Sequence, residues 1–190
     1  MGFLDILTGR KKLAKPAPDR LFAMSTAYVT MQTALELHSR GTAAIVFQPL
    51  ATADFAQLVR DMEEVVQATG ADSGGTVESR DDPYGYRWMV LRDDDFDDLV
   101  VGLNAVSTAL QDGGYGERIL AAVFAFEDAS KRPVYFIYNF KRGAFYPFVP
   151  AGGSERRDNE AELRTKAQLG AELPFEAELE RWFPLWGAPI

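Results

Sequence analysis

Two nearly continuous apolar runs in the second half of the chain constrain its fold more than any other feature. They cover residues 119–126 and 134–140, and a turn that ends at Pro133 separates them. A strand with one wet face alternates apolar and polar residues, so runs this apolar indicate strands of a sheet that is covered on at least one face. A chain of 190 residues is long enough to bury such a core in one domain.

Two amphipathic segments are predicted to form helices that cover one face of this sheet. The first follows Thr52, which can cap a helix, and ends at Gly70. The second follows an acidic run that begins at Asp93, and it ends at Gly113. Their apolar residues recur every three or four positions: Phe55, Leu58, Val59, Met62, Val65 and Val66 in the first, and Phe96, Leu99, Val100, Leu103, Val106 and Leu110 in the second.

The order of the elements predicts an α+β fold, a ferredoxin-like split βαβ sheet with an added strand and C-terminal helices. Three more strands are predicted, over 42–48, 76–79 and 86–92. Residues 22–40 fit either a helix or a strand. The C-terminal helices are expected over 156–169 and from Pro174 onward. A secretion-chaperone-like α+β fold has a compatible order and stays open as the alternative.

The chain is predicted to divide into residues 1–20, a basic amphipathic segment with a linker, and residues 21–190, a single α+β domain with a docked aromatic tail. The first part has a net charge of +3 and the second of −11, within a total of −8. The pattern at the start is typical of a short interfacial anchor, with apolar residues before basic ones: Phe3, Leu4, Ile6 and Leu7, then Arg10, Lys11 and Lys12. Two roles are expected for these residues. They contact a membrane or a partner, or they pack against the domain or at a dimer contact.

The composition excludes several kinds of chemistry. The chain has no cysteine and one histidine, His38, which rules out thiol nucleophiles, disulfides and His-rich metal sites. No G-x-S-x-G elbow or phosphate-binding glycine motif is present. The acidic body disfavours nucleic acid as a partner. No catalytic residue, metal or cofactor is therefore predicted.

The most conspicuous polar run is Asp93–Asp98, which holds five carboxylates. Carboxylates bind Ca²⁺ or Mg²⁺, but the spacing lacks the glycine and the distal glutamate of an EF-hand loop. Acidic residues at a helix start also stabilise the helix dipole. A capping role is the favoured interpretation.

Aromatic and basic residues near the C-terminus form the predicted protein-contact surface. Its members are Phe145, Tyr146, Arg156, Arg157, Trp182 and Trp186. The two arginines could bind an anion or a partner's carboxylate. The alternative is a solvated start of a helix.

Several phrases, in the same order along nearly the whole chain, resemble the PspA-associated protein PspAB family. They are Met1-Gly2-Phe3-Leu4-Asp5, Ser79-Arg80-Asp81, Tyr84-Gly85-Tyr86-Arg87-Trp88, Gly143-Ala144-Phe145-Tyr146-Pro147-Phe148, Arg156-Arg157-Asp158-Asn159, and Arg181-Trp182-Phe183-Pro184-Leu185-Trp186-Gly187-Ala188-Pro189. Asn104 stands where the resemblance leads us to expect a histidine.

The resemblance implies a link to phage-shock protein A, a coiled-coil protein that coats and protects stressed inner membranes, and it implies no enzymatic activity. The resulting hypothesis is a cytoplasmic adaptor of the envelope-stress response that binds a protein partner and can lie at the inner membrane surface. A homodimer stays open. Two alternatives also stay open: a chaperone-like module that holds a client in an apolar groove, and an enzyme that uses the carboxylates at 93–98 with the charged residues at 156–158.

Overall fold

The computed structural model describes residues 18–69, 74–152 and 155–190. The helices and strands of this part are α1 (Ala23–Ala34), β1 (His38–Phe47), α2 (Ala53–Thr69), β2 (Thr76–Asp81), β3 (Arg87–Arg92), α3 (Phe96–Asp112), β4 (Ile119–Glu127), β5 (Pro133–Asn139), β6 (Ala144–Phe148) and α4 (Asn159–Leu169). Short 3-10 turns cover Pro18–Phe22, Gly116–Arg118 and Leu179–Arg181. The predicted α+β class is confirmed.

The six strands form one antiparallel sheet in the order β2-β3-β1-β4-β5-β6. β3 lies between β1 and β2, and β1 lies between β3 and β4. Each βαβ unit is therefore split by a strand of the other, as in the ferredoxin-like scheme. β5 and β6 extend this core by two strands, where the sequence predicted one added strand.

The extra strand, β6, is an aromatic segment that the sequence predicted only to be extended. It pairs with β5 and forms an edge of the sheet. Pro147 lies within it. Proline has no N–H to donate to a neighbouring strand, and an edge strand needs such donors on one side only.

The ambiguous residues 22–40 form α1 and the beginning of β1. β1 begins at His38 rather than at Thr42, because Gly41 lies at a bulge inside the strand and does not open it. The pairing with β4 shifts between Ser39 and Thr42, and Gly41 has φ +62°. A Cβ there would lie 3.0 Å from the carbonyl oxygen of Asp93, so both the backbone angle and the space favour glycine.

The helices α1, α2 and α3 cover one face of the sheet. All six apolar residues predicted for α3 are buried, and in α2 the predicted Phe55, Val59, Met62 and Val66 are buried as well. Val65 is 57% exposed, so it lies outside the apolar face. α3 lies close to β3 at Gly102, where a Cβ would come 2.5 Å from a methyl carbon of Leu91.

The opposite face of the sheet has its own apolar cluster, and the end of the C-terminal tail (residues 173–190) packs on it, whereas Leu173 at the start of the tail belongs to the helix-side core. Trp182 is a buried member of the cluster. Four further tail residues contact it: Leu185, Trp186, Ala188 and Ile190. Both faces of the sheet therefore carry buried apolar side chains.

The helix predicted to start at Pro174 does not form. In residues 173–190 the structure has one 3-10 turn, Leu179–Arg181. The backbone around Phe175 instead pairs with the edge of β6, because the N–H of Phe145 donates to Pro174 (2.8 Å) and the N–H of Glu176 donates to Phe145 (2.8 Å). These bonds hold the segment extended and leave α4 as the one C-terminal α-helix of the described residues.

Candidate functional site

The tail is joined to β6 and α4 at a junction built around Arg157. Its guanidinium donates to both carboxylate oxygens of Glu162, with Nε–Oε1 at 3.0 Å and Nη2–Oε2 at 2.9 Å. It also donates to the backbone carbonyl oxygens of Trp182 and of Pro147, the latter at 3.4 Å. A planar guanidinium with five donors can hold all three segments at once.

Glu162 accepts these bonds from inside the protein, where it is 2% exposed. Its Oε1 also accepts from the backbone N–H of Val149 at 2.9 Å. Burial raises the pKa of the Glu162 carboxyl, while the bonds from Arg157 act against that rise. Because a buried carboxylate needs a partner, loss of the Arg157 side chain would leave this group uncompensated.

A second ion pair fixes the beginning of the tail. Arg142 donates to Glu176 through Nε (2.7 Å) and Nη2 (3.3 Å), and its Nη2 also reaches Glu178 at 3.4 Å. These hydrogen bonds lower the pKa of the Glu176 carboxyl. Lys166 contributes a weaker bond to the carbonyl oxygen of Glu176 at 3.4 Å.

Aromatic side chains complete the contact between the tail and the sheet. The rings of Tyr146 and Trp182 are stacked with centroids 6.3 Å apart, and those of Phe148 and Trp186 meet edge to face at 4.8 Å. The indole N–H of Trp182 donates to the carbonyl oxygen of Glu176 at 3.1 Å. Burial raises the pKa of Tyr146. These aromatic contacts therefore belong to the apolar packing between the tail and the sheet.

Burial corrects the predicted protein-contact surface at three positions. Phe145 (0% exposed), Tyr146 (4%) and Trp182 (4%) lie inside the protein, because β6 and the tail pack them against the two faces of the sheet. Arg157 is held in the junction. Arg156 is exposed, and Trp186 is half-buried. The structure places most of these predicted contact residues close together, where they attach the tail to β6 and α4.

A cleft between α4 and the tail lies directly beside this attachment. Its volume is about 350 Å³, and its lining includes Leu163 and Leu179 with Glu180 and Asn159. The two leucines are 46% and 47% exposed, and the neighbouring Phe183 is 59% exposed. An exposed group of large apolar side chains beside a cleft is typical of a protein-contact site.

Neither Leu163 nor Leu179 is among the residues predicted from the sequence to contact a partner. Leu163 lies in a mostly polar helix that has no clear apolar periodicity. The helix has two leucines, Leu163 and Leu169, and the sequence alone does not tell which of them is exposed.

The acidic run before α3 has a structural explanation. Asp95 caps the helix, since its side chain accepts from the N–H of Asp97 at 2.8 Å, and Asp93 accepts from the N–H of Asp95 at 2.8 Å. The described ranges hold no group of three or more His, Asp or Glu residues placed to bind a metal. Asp93–Asp98 follow β3, and three strands separate β3 from β6, which precedes Arg156.

The predicted membrane or partner contact at residues 3–12 lies outside the described residues, and so does the linker up to residue 17. Within the residues that the structure does describe, no helix has the length and apolarity to cross a membrane.

Comparison with known proteins gives one match. The family model described as PspAB, PspA associated protein B, matches residues 1–190. The chain belongs to the PspA associated protein B family. No curated protein and no solved structure matches it. The family resemblance read from the sequence is therefore confirmed. The PspA associated protein B match includes the N-terminal segment as well as the junction, the cleft and the tail.

Proposed function

We propose that this chain is a non-enzymatic cytoplasmic adaptor that binds phage-shock protein A in the envelope-stress response. The observation that carries the proposal is the match of the whole chain to a family whose name records association with PspA. The lack of cysteine agrees with a reducing compartment. Binding is favoured over catalysis because Asp95 and Asp158 cap helices and Arg157 is held in an ion pair with Glu162.

The contact with phage-shock protein A is assigned to the cleft between α4 and the tail. Leu163 and Leu179 offer apolar surface there, and Glu180 and Asn159 offer polar groups beside it. A coiled-coil helix presents apolar residues flanked by charged ones, which is the complementary pattern. The tail is fixed by two ion pairs, so the cleft is preorganised and binding does not have to order it.

The chaperone-like alternative needs an open apolar face of the sheet, and the structure counts against it. The face opposite the helices is buried, and residues of the chain's own tail pack on it. The alternative enzyme needs its carboxylates and arginines in one pocket, whereas β1, β4 and β5 lie between the strands that carry them. The adaptor therefore remains the better-supported function.

The binding test uses the purified full-length chain and purified phage-shock protein A in isothermal titration calorimetry. We expect binding by the native chain and at least about tenfold weaker binding by the double variant Leu163→Glu/Leu179→Glu, because two apolar side chains of the contact are replaced by charges that binding would bury. The control is Val29→Glu on α1, which charges an apolar residue that is 63% exposed.

Absence of any binding by the native chain would refute the proposed function. Equal weakening by Val29→Glu would refute the cleft as the site, and so would unchanged binding by the double variant. Circular dichroism of each variant checks that the fold is kept.

Contact of residues 2–12 with an anionic membrane surface is a separate part of the proposal. Its apolar residues and its cations suit such a surface, although so short a segment binds weakly without a second contact. Flotation with liposomes containing anionic lipid compares the full chain with a chain lacking residues 2–12. We expect flotation of the first alone, and equal behaviour of the two would exclude the membrane contact.

A further inference from the structure

Among the described residues, one edge of the sheet has no neighbouring strand. β2 pairs with β3 on one side and ends the strand order on the other, whereas the backbone of the opposite edge, β6, is bonded to the tail around Phe175. Thr76, Glu78, Arg80 and Asp81 are exposed on β2. An unpaired edge strand presents backbone N–H and C=O groups that another strand can bind.

The side chains of β2 project alternately to the two faces of the sheet. Val77 and Ser79 lie on the helix side, where they line an open groove beside α2. Glu78 and Arg80 lie on the opposite side and form an ion pair with Arg80 Nη2 2.8 Å from Glu78 Oε2. The strand therefore carries one charge of each sign, two residues apart on the same face.

We propose that β2 pairs with β2 of a second copy of the chain, and that the twofold axis passes between the two Ser79 residues. The result is a homodimer with one continuous antiparallel sheet of twelve strands and the helices of both copies on the same side. The inference is independent of the proposed binding of phage-shock protein A, because β2 and the cleft beside α4 lie on different parts of the protein.

Symmetry limits the possible registers. A twofold axis perpendicular to the sheet places residues of the same face opposite each other, so one residue of β2 must lie directly opposite its own copy across the axis. An axis at Glu78 or at Arg80 would place like charges opposite each other, which is destabilising. An axis at Val77 would leave Glu78 and Arg80 opposite uncharged residues. An axis at Ser79 places each Glu78 opposite Arg80 of the second copy, twice.

The acidic charge of the neighbouring helix α2 indicates that the dimer is weak. Glu63 and Glu64 of α2 also line the groove beside β2. Two acidic helices that approach each other across the axis repel, which opposes the attraction of the two charge pairs. The association should therefore be studied from micromolar to millimolar protein by sedimentation equilibrium of the full-length chain.

A charge-exchange series tests the register. Arg80→Glu places four acidic groups around the axis and Glu78→Arg places four basic ones, so each variant alone should associate at least about tenfold more weakly than the native chain. The double variant Glu78→Arg/Arg80→Glu restores opposite charges and should associate like the native chain. An equimolar mixture of the two single variants should form a heterodimer.

A native chain that stays monomeric throughout this range would overturn the proposal. Single variants that associate as well as the native chain would overturn the register, and so would a mixture that does not associate. Thermal unfolding of each variant shows whether the fold is kept, since both positions are exposed.

Cross-linking checks the axis directly, because the native chain has no cysteine. Ser79→Cys should give a disulfide-linked dimer on mild oxidation, since the two side chains meet at the axis. Thr76→Cys should not, because six residues of strand, about 20 Å, would separate the two thiols. Preferential cross-linking of Thr76→Cys would refute an axis at Ser79.

Discussion

At the scale of single residues, two glutamates of the junction respond in opposite ways to their surroundings. Burial raises the pKa of Glu162, whereas hydrogen bonds from Arg142 lower the pKa of Glu176. Both carboxyls are almost completely buried. The direction of each pKa shift therefore depends on whether desolvation or the hydrogen bonds from the arginine have the larger effect. The sequence around each residue does not reveal which one does.

The lowered pKa of Glu176 predicts a contribution to stability that depends on pH. The contribution is present above the ordinary carboxyl pKa and is lost as the pH falls through the lower pKa of the folded state. Glu176→Gln should reduce the free energy of unfolding at pH 7 by about 1–2 kcal/mol, because a charge-assisted bond to Arg142 is weakened. Urea unfolding from pH 7 to pH 3 should show the difference from the native chain shrinking at acid pH.

The control for this pH series is Glu180→Gln, which changes an exposed carboxyl of the same segment. Its unfolding free energy should follow that of the native chain at every pH. A loss in Glu176→Gln that stays constant down to pH 3 would contradict the assigned role of the carboxylate charge.

At the scale of the elements, α3 is the helix whose sequence and structure agree most closely. Its apolar stripe is buried as predicted, and its acidic start holds a side-chain cap at Asp95. The agreement has a local cause, since helical periodicity and capping depend on residues within one or two turns. The last predicted helix fails for the opposite reason, because bonds to β6, a distant part of the chain, hold it extended.

The cap predicts the effect of substitutions at Asp95. Asp95→Ala removes the acceptor for the N–H of Asp97 and should lower the free energy of unfolding by about 1 kcal/mol. Asp95→Asn keeps an oxygen acceptor and should lie close to the native chain. Urea unfolding at pH 7 measures both, and equal losses in the two variants would argue against the hydrogen-bonded cap.

At the scale of the whole molecule, the end of the tail packs on the face of the sheet opposite the helices. Trp182 is buried against this face, whereas the next residue, Phe183, is 59% exposed. Two aromatic residues that are adjacent in the sequence thus have different surroundings. Trp182 belongs to the core, and Phe183 is exposed to solvent.

This difference predicts unequal effects of two adjacent alanine substitutions. Trp182→Ala should destabilise the protein by about 3–5 kcal/mol, because it removes a buried indole and leaves a cavity. It should also increase the fluorescence of a dye that binds exposed apolar surface. Phe183→Ala should change the stability by less than about 0.5 kcal/mol. Thermal unfolding compares the two, and similar losses would contradict the assigned packing of the tail.

The sequence by itself determined the local features: the caps and stripes of α2 and α3, the apolar strands β4 and β5, the order of the βαβ units, and the exclusion of thiol chemistry. These follow from neighbouring residues and from composition. Only the tertiary structure decided that Tyr146 and Trp182 are interior residues and that Arg142 holds Glu176, 34 positions away. Such contacts depend on the path of the chain, and an aromatic or charged residue has the same local signal whether it faces a partner or its own core.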